Sequence, residues 1–184
     1  MLKEFAEQDM IEQIVLLDKI KDAGRIDLLP ELMALYATPR HDRAVDEIVY
    51  HTLFALLGQD QQAVLAALAH PAERVRLVAV RRAGQDQVPG ALVILTEQLR
   101  TTMGAETLAA TITAVCQYAD PALTDLIVPF IDHDDEVVAA SAMHGLVALH
   151  GEAGREALLA LLARQGSGAD ALKRAQALSC LKSG

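Results

Sequence analysis

The chain of 184 residues has no tryptophan, and only 3% of its residues are aromatic. Hydrophobic residues nevertheless make up 52% of the sequence, so Ala, Leu, Val and Ile must supply most of the core. These side chains suit closely packed helices better than β-sandwiches, which favour aromatic residues. High hydrophobicity combined with 22% charged residues also excludes a disordered chain. The composition therefore predicts one all-α domain over residues 1–184.

The scarcity of cysteine and the lack of long apolar runs exclude several other classes of protein. The two cysteines, Cys116 and Cys180, cannot form a disulfide framework. The longest apolar runs, residues 63–69 and 157–163, have seven residues, whereas a membrane-spanning helix needs about 20. The first nine residues do not resemble a secretory signal. We therefore expect a cytoplasmic protein that does not enter a membrane. The net charge of −9 argues against binding to nucleic acid.

Apolar residues recur at helical spacing along almost the whole chain. This periodicity predicts eleven short helices, at about residues 8–23, 26–37, 42–57, 60–69, 72–84, 88–101, 105–118, 121–132, 135–150, 153–165 and 169–182. Breaker residues separate these segments, and no segment alternates as a strand does. The helices are short, and they come in pairs.

The pairs share a register of small residues. Ala79, Thr111, Ala142 and Ala175 occupy corresponding helices and are spaced 32, 31 and 33 residues apart. A second set of markers at the helix ends, where a left-handed residue would close each helix, consists of Gly24, Gly58, Gly84, Ala119, Gly151 and Gly184. A pair of about 30 residues cannot bury both apolar faces alone, so pairs must stack. We expect a right-handed α-solenoid of five to six antiparallel pairs; a compact bundle is the competing arrangement, but it requires no such register.

The residues that carry a family resemblance are LIVPFIDHDDEVVAASAMHGL at positions 126–146, and Val75 and Arg76 followed by Ala79 and Ala83. These segments resemble the short, armadillo-like HEAT repeat of bacterial proteins and phycobilisome lyases. The resemblance implies the helical fold over nearly the whole chain. It also implies that the second helix of each pair lines a concave, partner-binding face.

Three enzyme families share this type of fold. HEAT-like iron hydroxylases carry repeated His-Glu dipeptides, and none of the six histidines here is followed by Glu. HEAT-like DNA glycosylases use a basic, aromatic groove, which this acidic chain does not offer. Phycobilin lyases bind tetrapyrroles, but no residue here marks a bilin site. Cys116 lies in an apolar helical pattern, typical of a core residue rather than a nucleophile.

The polar segment His133-Asp134-Asp135 could hold a divalent cation or cap the helix that follows; the capping interpretation is favoured. The dipeptide His41-Asp42 has the same interpretation. We expect no metal site and no cofactor.

Charge is unevenly distributed along the chain. Residues 101–154 contain eight acidic residues and no Lys or Arg, whereas residues 40–100 contain seven of each sign. The balanced segment holds a basic cluster, which consists of Arg40, Arg43, Arg74, Arg76, Arg81 and Arg82. Arg43 and Arg74 are 31 residues apart, so stacked repeats would bring them together. The cluster could bind an anion or an acidic peptide, or it could pair with nearby acids such as Asp46 and Glu47.

The candidate partner-binding residues lie at the margin of the apolar stripe on the second helices. They are Arg43, Tyr50, Arg74, Arg81, Gln117, His144 and Arg174. The alternative interpretation of His144 is that it is packed in the core. We expect a non-catalytic adaptor or scaffold that binds another protein on the concave face, with an end face as a candidate surface for a second copy. The alternatives are a tetrapyrrole-handling, lyase-like protein and a nucleic-acid binder that uses residues 74–82.

Overall fold

The computed structural model describes residues 2, 4–38, 42–101, 103–149, 151–163 and 168–183. These residues form helices joined by short turns, and they include no strand, which confirms the all-α prediction. The α-helices are α1 (Met10–Asp22), α2 (Leu29–Ala37), α3 (Arg43–Leu57), α4 (Gln61–Leu68), α5 (Glu73–Gln85), α6 (Ala91–Gln98), α7 (Ala105–Cys116), α8 (Thr124–Ile127), α9 (Glu136–Ala148), α10 (Glu152–Ala163) and α11 (Gly168–Ser183). Short 3₁₀ helices span Phe5–Glu7, Ile26–Leu28, Pro121–Leu123 and Val128–Asp132.

Aspartate side chains cap the N-termini of several of these helices. Asp9 forms a capping box with Glu12 at the start of α1. Asp42 accepts a hydrogen bond from the second backbone N–H of α3, and Asp60 accepts two at the start of α4. Each cap satisfies backbone donors that have no partner within the helix, and removing one typically costs about 1 kcal/mol.

The predicted helix at 121–132 is interrupted. The segment runs through a 3₁₀ turn, the single α-turn of α8 and a second 3₁₀ helix. Pro121 starts the first turn and Pro129 lies early in the second. Proline has no N–H and its ring clashes with the preceding turn, so a continuous α-helix cannot form across Pro129.

The helix ends follow the proposed glycine markers only in part. Gly24 and Ala119 have left-handed backbones, with φ of +58° and +52°. Gly58, in contrast, is right-handed with φ of −66°. Gly84 lies within α5, and the left-handed residue after that helix is Gln87. Gly184 lies outside the described residues.

Contacts divide the chain into two compact units, a first unit (Met1–Pro89) and a second unit (Gly90–Gly184). In the first unit, α3 packs between α1 and α5, and α2 packs on α3 and α5. In the second unit, α9 packs on α7, α10 and α11. The expectation of a single repeat domain stays a prediction.

The cores of both units are aliphatic, as the composition predicts. Fully buried side chains in the first unit include Leu17, Ile20, Leu32, Leu53 and Leu57. Those in the second unit include Leu95, Ile112, Ile127, Leu146 and Leu158.

The small-residue register is present in three helices. Ala79, Thr111 and Ala142 are each the seventh residue of their helix, and each is fully buried. The Thr111 hydroxyl donates to the carbonyl of Thr107 at 2.7 Å, so its burial leaves no unpaired donor. Ala175 departs from the register, because it is exposed while Ala177 and Cys180 are the buried residues of α11.

Among the described helices, none combines the length and apolar content that crossing a bilayer requires.

Candidate protein-binding surface

The predicted site residues fall in both units. Arg43 and Tyr50 lie on α3, and Arg74 and Arg81 lie on α5, all in the first unit. The structure brings these four together around one part of the surface. Gln117, His144 and Arg174 belong to the second unit and are described separately below.

A cluster of half-exposed rings and guanidinium groups connects α2, α3 and α5. We call Tyr36, Tyr50, Phe54, Arg74 and Arg82 the aromatic–arginine cluster. The Tyr50 ring lies 6.2 Å from the Tyr36 ring and 5.9 Å from the Phe54 ring, centroid to centroid. The Arg74 guanidinium lies 4.2 Å from the Tyr36 centroid, and that of Arg82 lies 4.9 Å from the Phe54 centroid. Both distances are within the range of cation–π contact.

Arg74 is held by three groups at one end of the cluster. Its guanidinium forms an ion pair with Asp46 on α3 and donates to the backbone carbonyl of Tyr36 at 3.1 Å. Burial lowers the pKa of Arg74, but the bond to Asp46 and the nearby Tyr36 outweigh that effect and raise it. Burial also raises the pKa of the Tyr36 hydroxyl. Both side chains therefore keep one charge state throughout the neutral range.

Arg82 is fixed at the other end of the cluster. Its Nε donates to Asp86 at 2.6 Å, and Asp86 lies directly after the end of α5. Its guanidinium also lies against the backbone of Gly58, just after α3, in space that any Cβ at position 58 would occupy. Glycine at this position is required for close approach rather than for backbone conformation, and it allows Arg82 to reach the Phe54 ring.

A shallow depression of about 310 Å³ lies beside the cluster. We call it the α3 depression, and its lining residues are Tyr36, Arg43, Asp46, Glu47, Tyr50 and Arg81. Arg43 and Arg81 are exposed, whereas the two tyrosines are half-buried. Three predicted residues thus line one depression. The fourth, Arg74, bonds to two of the lining residues, Asp46 and Tyr36.

Three of the six arginines in the predicted basic cluster make defined contacts within the fold. Arg74 and Arg82 form ion pairs with Asp46 and Asp86. Arg76 donates to the carbonyls of His70 and Pro71 at 2.8 and 2.7 Å, which closes the turn before α5. Arg40 lies outside the described residues. The pairing interpretation is therefore confirmed for Arg74.

Sequence reasoning missed Tyr36 and Phe54 as members of this surface, although it includes Arg82 in the basic cluster and Asp46 among the acids that could pair with that cluster. Phe54 follows Tyr50 by four residues, so helical spacing alone could have placed them on one face. Tyr36 lies on the preceding helix, and its contact with Tyr50 depends on how α2 packs on α3.

In the second unit, His144 is exposed, so its interpretation as a core histidine is wrong. Its Nε2 lies 3.1 Å from Gln176 Nε2 and its Nδ1 lies 3.5 Å from Cys180 Sγ, both on α11. Gln117 is exposed just after α7, and Arg174 is half-buried on α11.

The polar segment at the start of α9 forms a cap. Asp135 accepts from the backbone N–H groups of Val137 and Val138 at 2.9 and 3.2 Å, and His133 Nδ1 accepts from that of Asp135. The capping interpretation is confirmed for Asp135, and Asp42 caps α3 in a similar way, while His41 lies outside the described residues. No group of three or more metal-ligating side chains occurs among the described residues.

No protein-family model matches the chain, and no curated protein matches it significantly.

Proposed function

We propose that this chain is a non-catalytic protein-binding module, an adaptor or scaffold, and that its partner binds across α2, α3 and α5 in the first unit. The observation that carries the proposal is the aromatic–arginine cluster. It holds three of the chain's six Tyr and Phe residues, and all three rings are half-exposed. Tyrosine and arginine are the residues that most often dominate binding energy at protein interfaces.

The cluster is also prepared for binding before any partner arrives. Ion pairs to Asp46 and Asp86 hold its two guanidinium groups in place. Neighbouring rings then restrict Tyr50 between Tyr36 and Phe54. Side chains that are already ordered lose little entropy on association, so more of the contact energy contributes to affinity.

We further propose that the helix pairs form an α-solenoid of HEAT-like repeats. Two sets of helix contacts support this proposal: α3 lies between α1 and α5 in the first unit, and α9 lies between α7 and α11 in the second. In each unit, alternate helices therefore pack side by side in chain order, as they do in stacked pairs. The buried register at Ala79, Thr111 and Ala142 supports the same repeat.

Charge favours a protein over nucleic acid as the partner. Asp46 and Glu47 line the α3 depression together with its arginines, and their carboxylates would repel a phosphate backbone. The alternative of a small ligand has its own candidate place in the second unit. A hollow of about 480 Å³ there is lined by Leu146, Leu158, Cys180 and Arg155, among others.

The proposal is tested by affinity capture from native lysate with matched variants. Tyr50→Ala is expected to lose the captured protein, because it removes the central ring of the cluster. Tyr118→Ala is the control, since Tyr118 is a half-buried tyrosine of the second unit, and it is expected to retain the partner. Circular dichroism would verify that both variants keep their helices.

Equal recovery by both variants, or no stoichiometric partner at all, would contradict the proposal. Visible absorbance of the freshly purified protein would favour the small-ligand alternative. Salt-sensitive retention on heparin that is lost in Arg74→Ala with Arg81→Ala would favour nucleic acid.

A further inference from the structure

We propose that the exposed side of α1 binds the exposed side of α11 on a second copy of this chain, in a head-to-tail contact. One copy contributes α1 and the other contributes α11. The proposal concerns surfaces outside the aromatic–arginine cluster, and it does not depend on the proposed function.

Exposed large apolar side chains are concentrated on these two helices. Nine such residues occur among the described side chains, and five of the nine lie on α1 or α11. Met10, Ile11 and Val15 on α1 are 48%, 68% and 45% exposed, and Leu172 and Leu178 on α11 are 63% and 45% exposed. Apolar residues that are exposed singly are common on protein surfaces, but several on one helix mark a contact surface.

On α1 two of these residues form a short ridge. Ile11 and Val15 are four residues apart, so their side chains lie on adjacent turns of the same face. The opposite face of the helix is the one that packs on α3, since Leu17 and Ile20 are fully buried. The pair, which we call the α1 ridge, therefore points away from its own core.

On α11 the exposed residues form a shallow groove. Ala171, Leu172, Ala175 and Leu178 are all exposed, and helical geometry places them within an arc of about 120°. The two alanines lie between the two leucines on that arc, and the other side of α11 packs on α9 and α10. Small residues between larger ones leave room for the ridge of another helix. We call these four residues the α11 groove.

The two surfaces carry opposite charge. Residues 4–22 contain six acidic residues and two lysines, whereas residues 171–183 contain three basic residues and no Asp or Glu. Internal contacts reduce this difference without removing it. Asp18 pairs with Lys21 on α1, and Lys173 lies against α9 in a hollow that two acids also line. With these groups set aside, residues 4–22 still keep five acids and one lysine, and Lys182 remains exposed on α11.

Charge therefore selects which surfaces meet. Two copies of α1 would bring two acidic segments together, and two copies of α11 would bring two basic segments together. Like charges oppose association, whereas α1 against α11 places an acidic segment beside a basic one. A head-to-tail contact is favoured over either symmetric contact.

The test is complementation between two variants of the full chain, read by sedimentation velocity over a range of concentrations. Wild type is expected to associate as its concentration rises. Ile11→Glu blocks the α1 ridge and Leu172→Glu blocks the α11 groove. Each alone should weaken association at least about 100-fold, because it would bury an unpaired carboxylate in an apolar contact. An equimolar mixture should form a one-to-one dimer, since each variant keeps the surface that the other has lost.

Val93→Glu is the matched control, because Val93 is 69% exposed on α6 and belongs to neither surface. It should associate as wild type does, and circular dichroism should show unchanged helix content in all three variants. The inference is overturned if wild type is monomeric at about 1 mM protein, or if Val93→Glu loses as much association as the other two. It is also overturned if either Ile11→Glu or Leu172→Glu alone associates as wild type does, which is the result for a symmetric contact, or if their mixture stays monomeric.

Discussion

Cys116 and Cys180 acquire different surroundings although both are buried in helices. Cys116 lies on α7 among apolar side chains, and burial raises the pKa of its thiol to about 12. Burial also raises the pKa of Cys180, but an imidazole nitrogen of His144 lies 3.5 Å from its sulfur. A neutral, protonated thiol at position 116 behaves as a small apolar side chain, which agrees with the apolar pattern around it.

The thiol of Cys116 makes stability depend on pH in a defined direction. In the unfolded chain it loses its proton near its ordinary pKa of 9.0, whereas the folded chain holds the proton up to about 12. Its contribution to stability is complete below pH 9 and is lost as the pH rises toward 12. Relative to Cys116→Ala, wild type should lose about 2 kcal/mol between pH 8 and about pH 10.5, measured by urea unfolding.

Val115→Ala is the control for this measurement, since Val115 is equally buried on the same helix and does not titrate. Its loss of stability should be the same at both pH values. A wild-type protein whose stability falls no more steeply than that of Cys116→Ala would show that the thiol is not sequestered in the folded state.

At the scale of elements, α7 and α9 pack closely on each other. Gly145 on α9 lies directly over the Cys116 side chain, and a Cβ at position 145 would overlap Sγ and lie 3.2 Å from the cysteine Cβ. Glycine usually weakens a helix by about 1 kcal/mol relative to alanine. Because Gly145 has no side chain, α7 and α9 can pack closely at this point.

Gly145→Ala is therefore expected to destabilise the protein, although alanine is the better helix former. Overpacking typically costs about 1–3 kcal/mol, which exceeds the gain in helix propensity. Adding Cys116→Ala removes the overlapping sulfur, so the double variant should be more stable than the two single losses predict. Thermal or urea unfolding of the four proteins measures this coupling. Strictly additive losses would contradict the described contact.

How much the sequence predicts differs between elements. Helical periodicity placed α3 at 42–57, and the helix spans Arg43–Leu57. Periodicity could not predict the interruption within residues 121–132, because apolar spacing continues through Pro129 although an α-helical backbone does not. The same holds for the site. Spacing put Arg43, Tyr50 and Arg81 at the margin of the stripe, but the pairing of Arg74 with Asp46 depends on how α3 packs on α5.

At the scale of the whole molecule, the proposed stack predicts that the stability of each helix pair depends mainly on its contacts with the adjacent pairs. In a solenoid each pair contacts the adjacent pairs, so a local loss of packing spreads only to the next helices. In a single cooperative core, the same loss would lower protection everywhere. Buried isoleucines far apart in sequence provide a matched pair of probes: Ile20 on α1 and Ile127 on α8 are both fully buried.

Ile20→Val and Ile127→Val each remove one buried methylene and should cost about 0.5–1.5 kcal/mol locally. For a stack, Ile20→Val should speed amide hydrogen exchange roughly two- to tenfold in α1 and the helices packed on it, and leave α8 to α11 unchanged. Ile127→Val should produce the reciprocal pattern, since α8 packs on α9 and α10. If either variant speeds exchange throughout the described helices of both units, the chain behaves as one cooperative core, and the repeat stack on which the concave binding face depends is wrong.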